Sequence, residues 1–296
     1  MKKILLFIFT LFCTFQLMAF TPEGDTSWKS KYEASLGFSQ TTFTNWAAGG
    51  ENSLSTNAML TIFKNYAKGN VSWTNYLGLA YGVNINQTAP KVRKNNDKIG
   101  FVTKGGLYAR KNWDYTALCS FSSQFDKGYN YPDDSVHISK FMAPGYFQFS
   151  IGLDYKPVEY FSVFISPLGA RLTVVNDKSL TSRPEGAYGI FGDNTTLWQI
   201  GGSVNATFKK DIMKNVNLMS KLDLFSDYRH NPQNIIVGWE NNILMKVNKY
   251  ISLNLSTMLI YDDNINSVDK EGNPHGPKTQ FRETFSVGFA YTMIHN

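Results

Sequence analysis

His137 and Ser139 stand two residues apart, the arrangement in this sequence nearest to a nucleophile and its base. Two apart on a strand, their side chains share one face, so an imidazole could take the hydroxyl's proton. A third group must orient the imidazole, and Asn130, Asp134 and Gln148 are candidates with no distinguishing spacing. Such pairs arise readily by chance, and the chain is expected not to be an enzyme. Metal chemistry has less support. The four histidines, His137, His230, His275 and His295, show no ligand spacing. Asp262-Asp263-Asn264 with Asn266 could gather around calcium, yet EF-hand spacing is absent. A solvated polar loop is the expectation there, with no metal and no cofactor.

Binding is the other chemistry the residue types suggest. Asn45 and Trp46, followed by Gly49, Gly50, Glu51 and Asn52, join an apolar anchor, two glycines and three polar side chains in one short stretch. The glycines open backbone angles closed to other residues. This loop is a candidate to constrict or bind at a barrel mouth, against the plainer reading of a packed structural cap. A second set is charged. Glu33, Lys104, Asp154, Lys221, Asp223, Asp227, Arg229, Glu240 and Arg282, with Asp114, Lys209 and Lys246, fall on the face opposite the apolar one. Burying so many charges requires pairing or water. Both signs occur, so a lumen laced by salt bridges and an open channel fit equally well.

The elements that must hold these groups are strands, because the hydrophobic period is two throughout. In the last segment Phe281, Phe285, Val287, Phe289, Tyr291 and Met293 alternate with Arg282, Thr284, Ser286, Gly288, Ala290 and Thr292, and Glu283 is the misfit. The same division recurs over 113–125, 146–155, 216–229 and 250–261. It places Cys119 on the apolar face as an inert small residue. Weaker strands fit 28–40, 54–66, 70–82, 98–110, 160–173, 197–209 and 234–247. About twelve strands result. Short connections near 67–70, 110–112, 156–159, 210–215 and 248–249 alternate with longer ones near 41–52, 84–96, 126–145, 174–196 and 262–279, and a shorter one near 230–233 takes the remaining slot on the long side. Outer-membrane barrels show this asymmetry, and an even strand count places both termini on the periplasmic side. Strands of about ten residues favour membrane spanning over a soluble sandwich.

Lys2 and Lys3, an apolar run from Ile4 to Phe15 and a cleavage site ending at Ala19 form the pattern of a secretory signal peptide. The expected division is 1–19 signal peptide and 20–296 barrel. Its removal leaves 27 basic against 23 acidic residues, a balance that implies no nucleic-acid partner. Cys119 is then the only cysteine, so no internal disulfide forms. A mean hydropathy of −0.26 fits a barrel whose two faces dilute one another, and a 15% aromatic content fits interfacial girdles.

Ser286, Gly288, Tyr291 and Met293 resemble the C-terminal signal that the barrel-assembly machinery reads, although Met293 is not aromatic. Four further stretches resemble one family: 38–53, Trp113-Asp114-Tyr115 with Gln124-Phe125, 138–144, and Ile165-Ser166-Pro167-Leu168. The chain is similar through them to an uncharacterised family of Bacteroidetes outer-membrane barrels, domain of unknown function 3078. That resemblance implies location and fold, and no functional residues.

The expected fold is therefore all-β, an antiparallel up-and-down transmembrane β-barrel of about twelve strands after a cleaved signal peptide. Outer-membrane lipids and the assembly machinery are its expected partners. A small-solute channel or solute-binding barrel is the leading functional expectation. A non-transporting accessory barrel in an envelope complex is the alternative, and a lipase resting on His137 and Ser139 is a third.

Overall fold

A computed structural model describes residues 27–41, 53–86, 92–130, 133–248, 251–268 and 274–295. The strands are β1 (Trp28–Thr41), β2 (Ser53–Lys68), β3 (Val71–Asn86), β4 (Arg93–Arg110), β5 (Trp113–Ser123), β6 (Gly128–Tyr129), β7 (His137–Ser139), β8 (Gly145–Val158), β9 (Phe161–Val174), β10 (Thr196–Met213), β11 (Val216–Asp227), β12 (Ile235–Lys246), β13 (Ile251–Tyr261), β14 (Asn266–Val268), β15 (Pro274–Pro277) and β16 (Gln280–His295). Twelve of them close into an antiparallel barrel in which each strand pairs with the next, and β16 returns to pair with β1. The pairs β6–β7 and β14–β15 are small ladders within two of the long connections. The expected all-β barrel of about twelve strands is the fold observed.

Period-two patterning explains why the sheet closes this way round. The apolar set of each strand points outward and stays exposed, as Ile151, Leu168, Phe285 and Phe289 show. The alternate set points inward, where Ser150, Asp154, Gln199 and Ser252 are buried. Closure removes the sheet edges that would otherwise seek other chains. The closing seam runs from Ser30 opposite His295 to Phe38 opposite Val287. At its Gly37–Gly288 rung the backbones approach so closely that a Cβ on Gly288 would lie 2.0 Å from the Leu36 carbonyl oxygen.

Tight turns join the strands at one end, and the longer connections lie at the other. At the tight-turn end aromatic rings cluster outside the barrel. Trp28 packs on Tyr66 and Trp73 at 5.1 and 5.9 Å, and Trp113 on Tyr155 at 4.6 Å. Lysine and arginine heads cover them: Lys64 over Trp28, Arg110 over Trp113 and Lys210 over Tyr160. At the other end Tyr81, Phe125, Trp198, Tyr228 and Phe281 are exposed. Aliphatic side chains such as Ile151, Leu153, Ile165 and Ile200 fill the band between the two belts.

Some expectations need correction. The connection read as 84–96 is shorter, because a bulge at Gly82/Val83 lets the β3–β4 ladder run on to Asn84 and Arg93. Strand β11 ends at Asp227, so Arg229 is not carried to the lumen face; it is exposed beyond the strand, its backbone N–H donating to Asp227. The inward face is also less uniformly polar than its sequence pattern suggests: Leu118, Phe164 and Phe225 are buried there. In β9 the alternation breaks at Pro167, which supplies no N–H to a ladder. A register shift absorbs it, and Ser166 Oγ lies 2.9 Å from Ile151 O and 2.8 Å from Leu168 O.

Candidate functional site

The barrel's inward face brings charged side chains from opposite walls into contact. Lys98 on β4 donates to Glu240 on β12 at 2.5 Å. These strands lie six places apart in a ring of twelve, so the contact spans the lumen. Lys209 on β10 reaches Glu33 on β1 at 3.8 Å, and the same carboxylate is paired with Lys31. Lys209 also lies 3.4 Å from the centre of the Phe63 ring on β2, again the opposite wall. Lys221 on β11 sits 3.0 Å from the ring centre of Tyr76 on β3. Together these side chains make a charged belt that narrows the lumen.

Ladder register explains their common level. Lys221 stands opposite Glu240, Glu240 opposite Met258, and Met258 opposite Arg282. One row of paired residues thus carries two cations and a carboxylate across four strands. Arg282 donates to the side-chain oxygen of Asn96 at 2.9 Å. Asp223 accepts from Asn205 at 2.6 Å and remains exposed although it faces inward. Glu33 also lines a small cavity with Thr61, Asn242 and Asn254.

Two further groups flank the belt. Toward the tight turns Lys104 meets Asp154 at 2.9 Å, while Lys156 meets Asp114 at 2.8 Å and Asp154 at 3.4 Å. That cluster is balanced in charge. Toward the long connections Arg171 on β9 pairs with Asp262 at 2.9 Å, and Asp227 accepts from Gln199.

At the long-connection end, the segment after β5 and the segment after β9 pack into a lid. Its core is Ala143, Val175, Leu180 and Ile190, with Ala187, Tyr188 and Leu197 against it. Asp177 clasps the two segments. It accepts from His137 and Lys140, both at 2.7 Å, and caps the helical turn Lys178–Thr181 through Ser179. Burial opposes its charge, but hydrogen bonds from Lys140, His137 and Ser179 prevail and hold the carboxyl well below the usual aspartate range. Arg183 donates to the His137 carbonyl, and Asn176 N–H to the Met142 carbonyl. Burial pushes the Tyr188 hydroxyl up to about 12, against the opposing pull of Ser139 and Arg183.

The structure therefore engages His137 with Asp177, while Ser139 is buried and the Tyr188 hydroxyl donates to the neighbouring Ile138 carbonyl. Expected lumen charges Glu33, Lys104, Asp154, Lys221, Asp223, Asp227, Glu240 and Arg282 all face inward, and Cys119 lies on the outward face beside Thr103 and Phe149. The loop residues Asn45, Trp46, Gly49, Gly50, Glu51 and Asn52 lie outside the described residues, as does the segment 1–19. Sequence reasoning missed Lys31, Lys98 and Arg171. Lys98 shares parity with Lys104 through Gly100 and Val102, a signal hidden because it stands at the very start of the apolar alternation in this strand. Asp177 carried no signal beyond capping chemistry, since its partners come from a distant loop.

Comparison with solved structures gives similarity at 7–11% identity. The translocator domain of autotransporter NalP from Neisseria meningitidis aligns over 91% of this chain and 90% of its own, with a TM-score of 0.37 and 10% identity. An outer membrane channel from Pseudomonas putida F1 aligns over 90% and 94%, with a TM-score of 0.35 and 11% identity. The TodX monoaromatic hydrocarbon channel deltaS2 mutant aligns over 91% and 89%, with a TM-score of 0.31 and 7% identity. No curated protein matches. Two of the four family-like stretches, 38–53 and Trp113-Asp114-Tyr115 with Gln124-Phe125, fall within one matched region: residues 38–129 match the model of an uncharacterised family, "Protein of unknown function (DUF3078)".

Proposed function

We propose that this chain is an outer-membrane barrel that passes small polar solutes through a narrow, charged constriction. The observation that carries the reading is a charged, water-accessible lumen inside an apolar skin. Lys98 and Glu240 each keep 22% of their side-chain surface accessible, and Asp223 is exposed while facing inward. A wall of packed apolar side chains would leave no such access. The outward aliphatic band between two aromatic belts supports the membrane setting, since the belts place ring edges and cationic heads at the interfaces. Strands of 11 to 18 residues meet or exceed the nine to eleven or so that a tilted spanning strand needs. The long connections and the lid then face outward from the cell.

Planar-bilayer recording on the reconstituted chain tests the channel reading. Small, steady unit currents are expected, and a silent bilayer would overturn it. The contacts that join opposite walls favour a second reading, a closed accessory barrel working within an envelope complex. Silent bilayers together with a stable crosslinked partner from native membranes would establish that alternative.

A further inference from the structure

We infer that the constriction selects small anions over cations. This rests on the channel reading above and names the class of solute it would favour. The belt holds five cations, Lys31, Lys98, Lys209, Lys221 and Arg282, and three carboxylates, Glu33, Asp223 and Glu240. The ion pairs do not cancel evenly. Glu33 serves both Lys31 and Lys209, and Glu240 is taken by Lys98. Among the described residues no carboxylate lies within 4.0 Å of the Lys221 ammonium or the Arg282 guanidinium. Asp223 is the one belt carboxylate without a cation in contact, and Asn205 holds it.

How the extra cations are held matters as much as their number. Lys221 rests on the face of Tyr76, and Lys209 on that of Phe63. A ring face attracts an ammonium through its quadrupole and fixes its position. It carries no net charge, so it leaves the ammonium without a neutralising counter-charge. An ammonium paired with a carboxylate would present a dipole instead. Arg282, bound to a neutral amide, is in the same condition. In a low-dielectric wall, uncancelled charges at a level where side chains of opposite walls meet focus the field and raise the local concentration of counter-ions. The other inward charges leave this excess standing: Lys104 and Lys156 balance Asp114 and Asp154, Arg171 balances Asp262, and Asp227, held by Gln199, is offset by Lys246, which meets Thr292 on the inward face.

The test is the reversal potential of the reconstituted chain in a potassium chloride gradient. Chloride is expected to pass over potassium by about threefold or more, the order that a charge excess of two at the constriction gives when partly screened. Lys221→Gln and Arg282→Gln should each move the ratio toward one, and Glu240→Gln should raise it. Heat-modifiable gel mobility of the same preparations shows that each variant is folded. A ratio at or below one in the unmodified chain would overturn the inference and leave the channel standing. Absence of any current would overturn the channel reading and the inference with it.

Discussion

Replacing Gly288 by alanine tests the geometry of the closing seam. The added Cβ would lie 2.0 Å from the Leu36 carbonyl oxygen and 2.6 Å from the Gly37 Cα. Real Cβ contacts stay beyond 3.0 Å, so the two strands must separate by at least about 1 Å at this rung. A ladder bond of about 2.9 Å then stretches past hydrogen-bonding range, and its donor and acceptor have no water to turn to in a bilayer. Overpacking of this kind costs about 1–3 kcal/mol, and each orphaned backbone group adds to it. A loss of about 3 kcal/mol follows for Gly288→Ala. Gly105 supplies the control, because nothing lies within 4 Å of a Cβ built on it in β4. Gly105→Ala should change stability by no more than about 0.5 kcal/mol. The assay is equilibrium urea unfolding in phospholipid vesicles, read by heat-modifiable mobility, with no assembly machinery present. If the two variants unfold at the same urea concentration, the close approach at the seam is not what requires glycine at 288. Its place in the C-terminal signature would then reflect recognition alone.

Other perturbations address the lumen and the lid. Lys98→Ala combined with Glu240→Ala removes the side chains that meet across the barrel, so unit conductance should rise several-fold; an unchanged conductance would show that the current does not pass this level. Asp177→Asn weakens the clasp, and hydrogen exchange in 126–144 and 175–195 should speed up while the barrel strands stay protected. Because the folded Asp177 carboxyl titrates below its ordinary value, its stabilisation is complete above about pH 3.9 and fades only as the pH falls further. Exchange in the lid that accelerates between pH 6 and 5 would contradict that assignment. Leu180→Ala empties a fully buried site in the lid core and should cost about 2–5 kcal/mol of local lid stability, seen as faster proteolysis there with the barrel's urea midpoint unmoved. Cys119 faces outward, so a thiol probe dissolved in the bilayer should label it and a charged aqueous reagent should not; the opposite pattern would place that face on the lumen side.

The barrel was legible because a closed sheet with an apolar outer face repeats one rule at every strand. Phe285, Val287 and Phe289 against Ser286 and Gly288 announce the same two faces that Ile151 and Leu153 announce against Ser150 and Asp154. Alternation fixes the face of a residue and says nothing of its partner. Lys98 and Glu240 are far apart in sequence, and their meeting depends on ring closure and stagger, which no local pattern encodes. The lid was hidden for a related reason. Ala143, Val175, Leu180 and Ile190 form a core from two loops without a shared period, so each reads as an isolated apolar residue. Pro167 and Gly201 mark places where a register shift rescues the ladder, and local alternation misassigns the neighbours of such shifts.

The seam between β1 and β16 also governs when this molecule can become itself. Its rungs join Ser30 to His295, the longest separation along the chain of any pair in the ring. Until β16 emerges, β1 and β13 each present an open edge, and the sheet has the reactivity of any unpaired strand. Contacts so distant in sequence are slow to form, because the whole intervening chain must be ordered first. Closure is therefore the last event, and the ring gains its cooperativity in that one step. A chain stopped before Gln280 would hold eleven barrel strands and no barrel, a substrate for chaperones or proteases rather than a smaller version of the same protein.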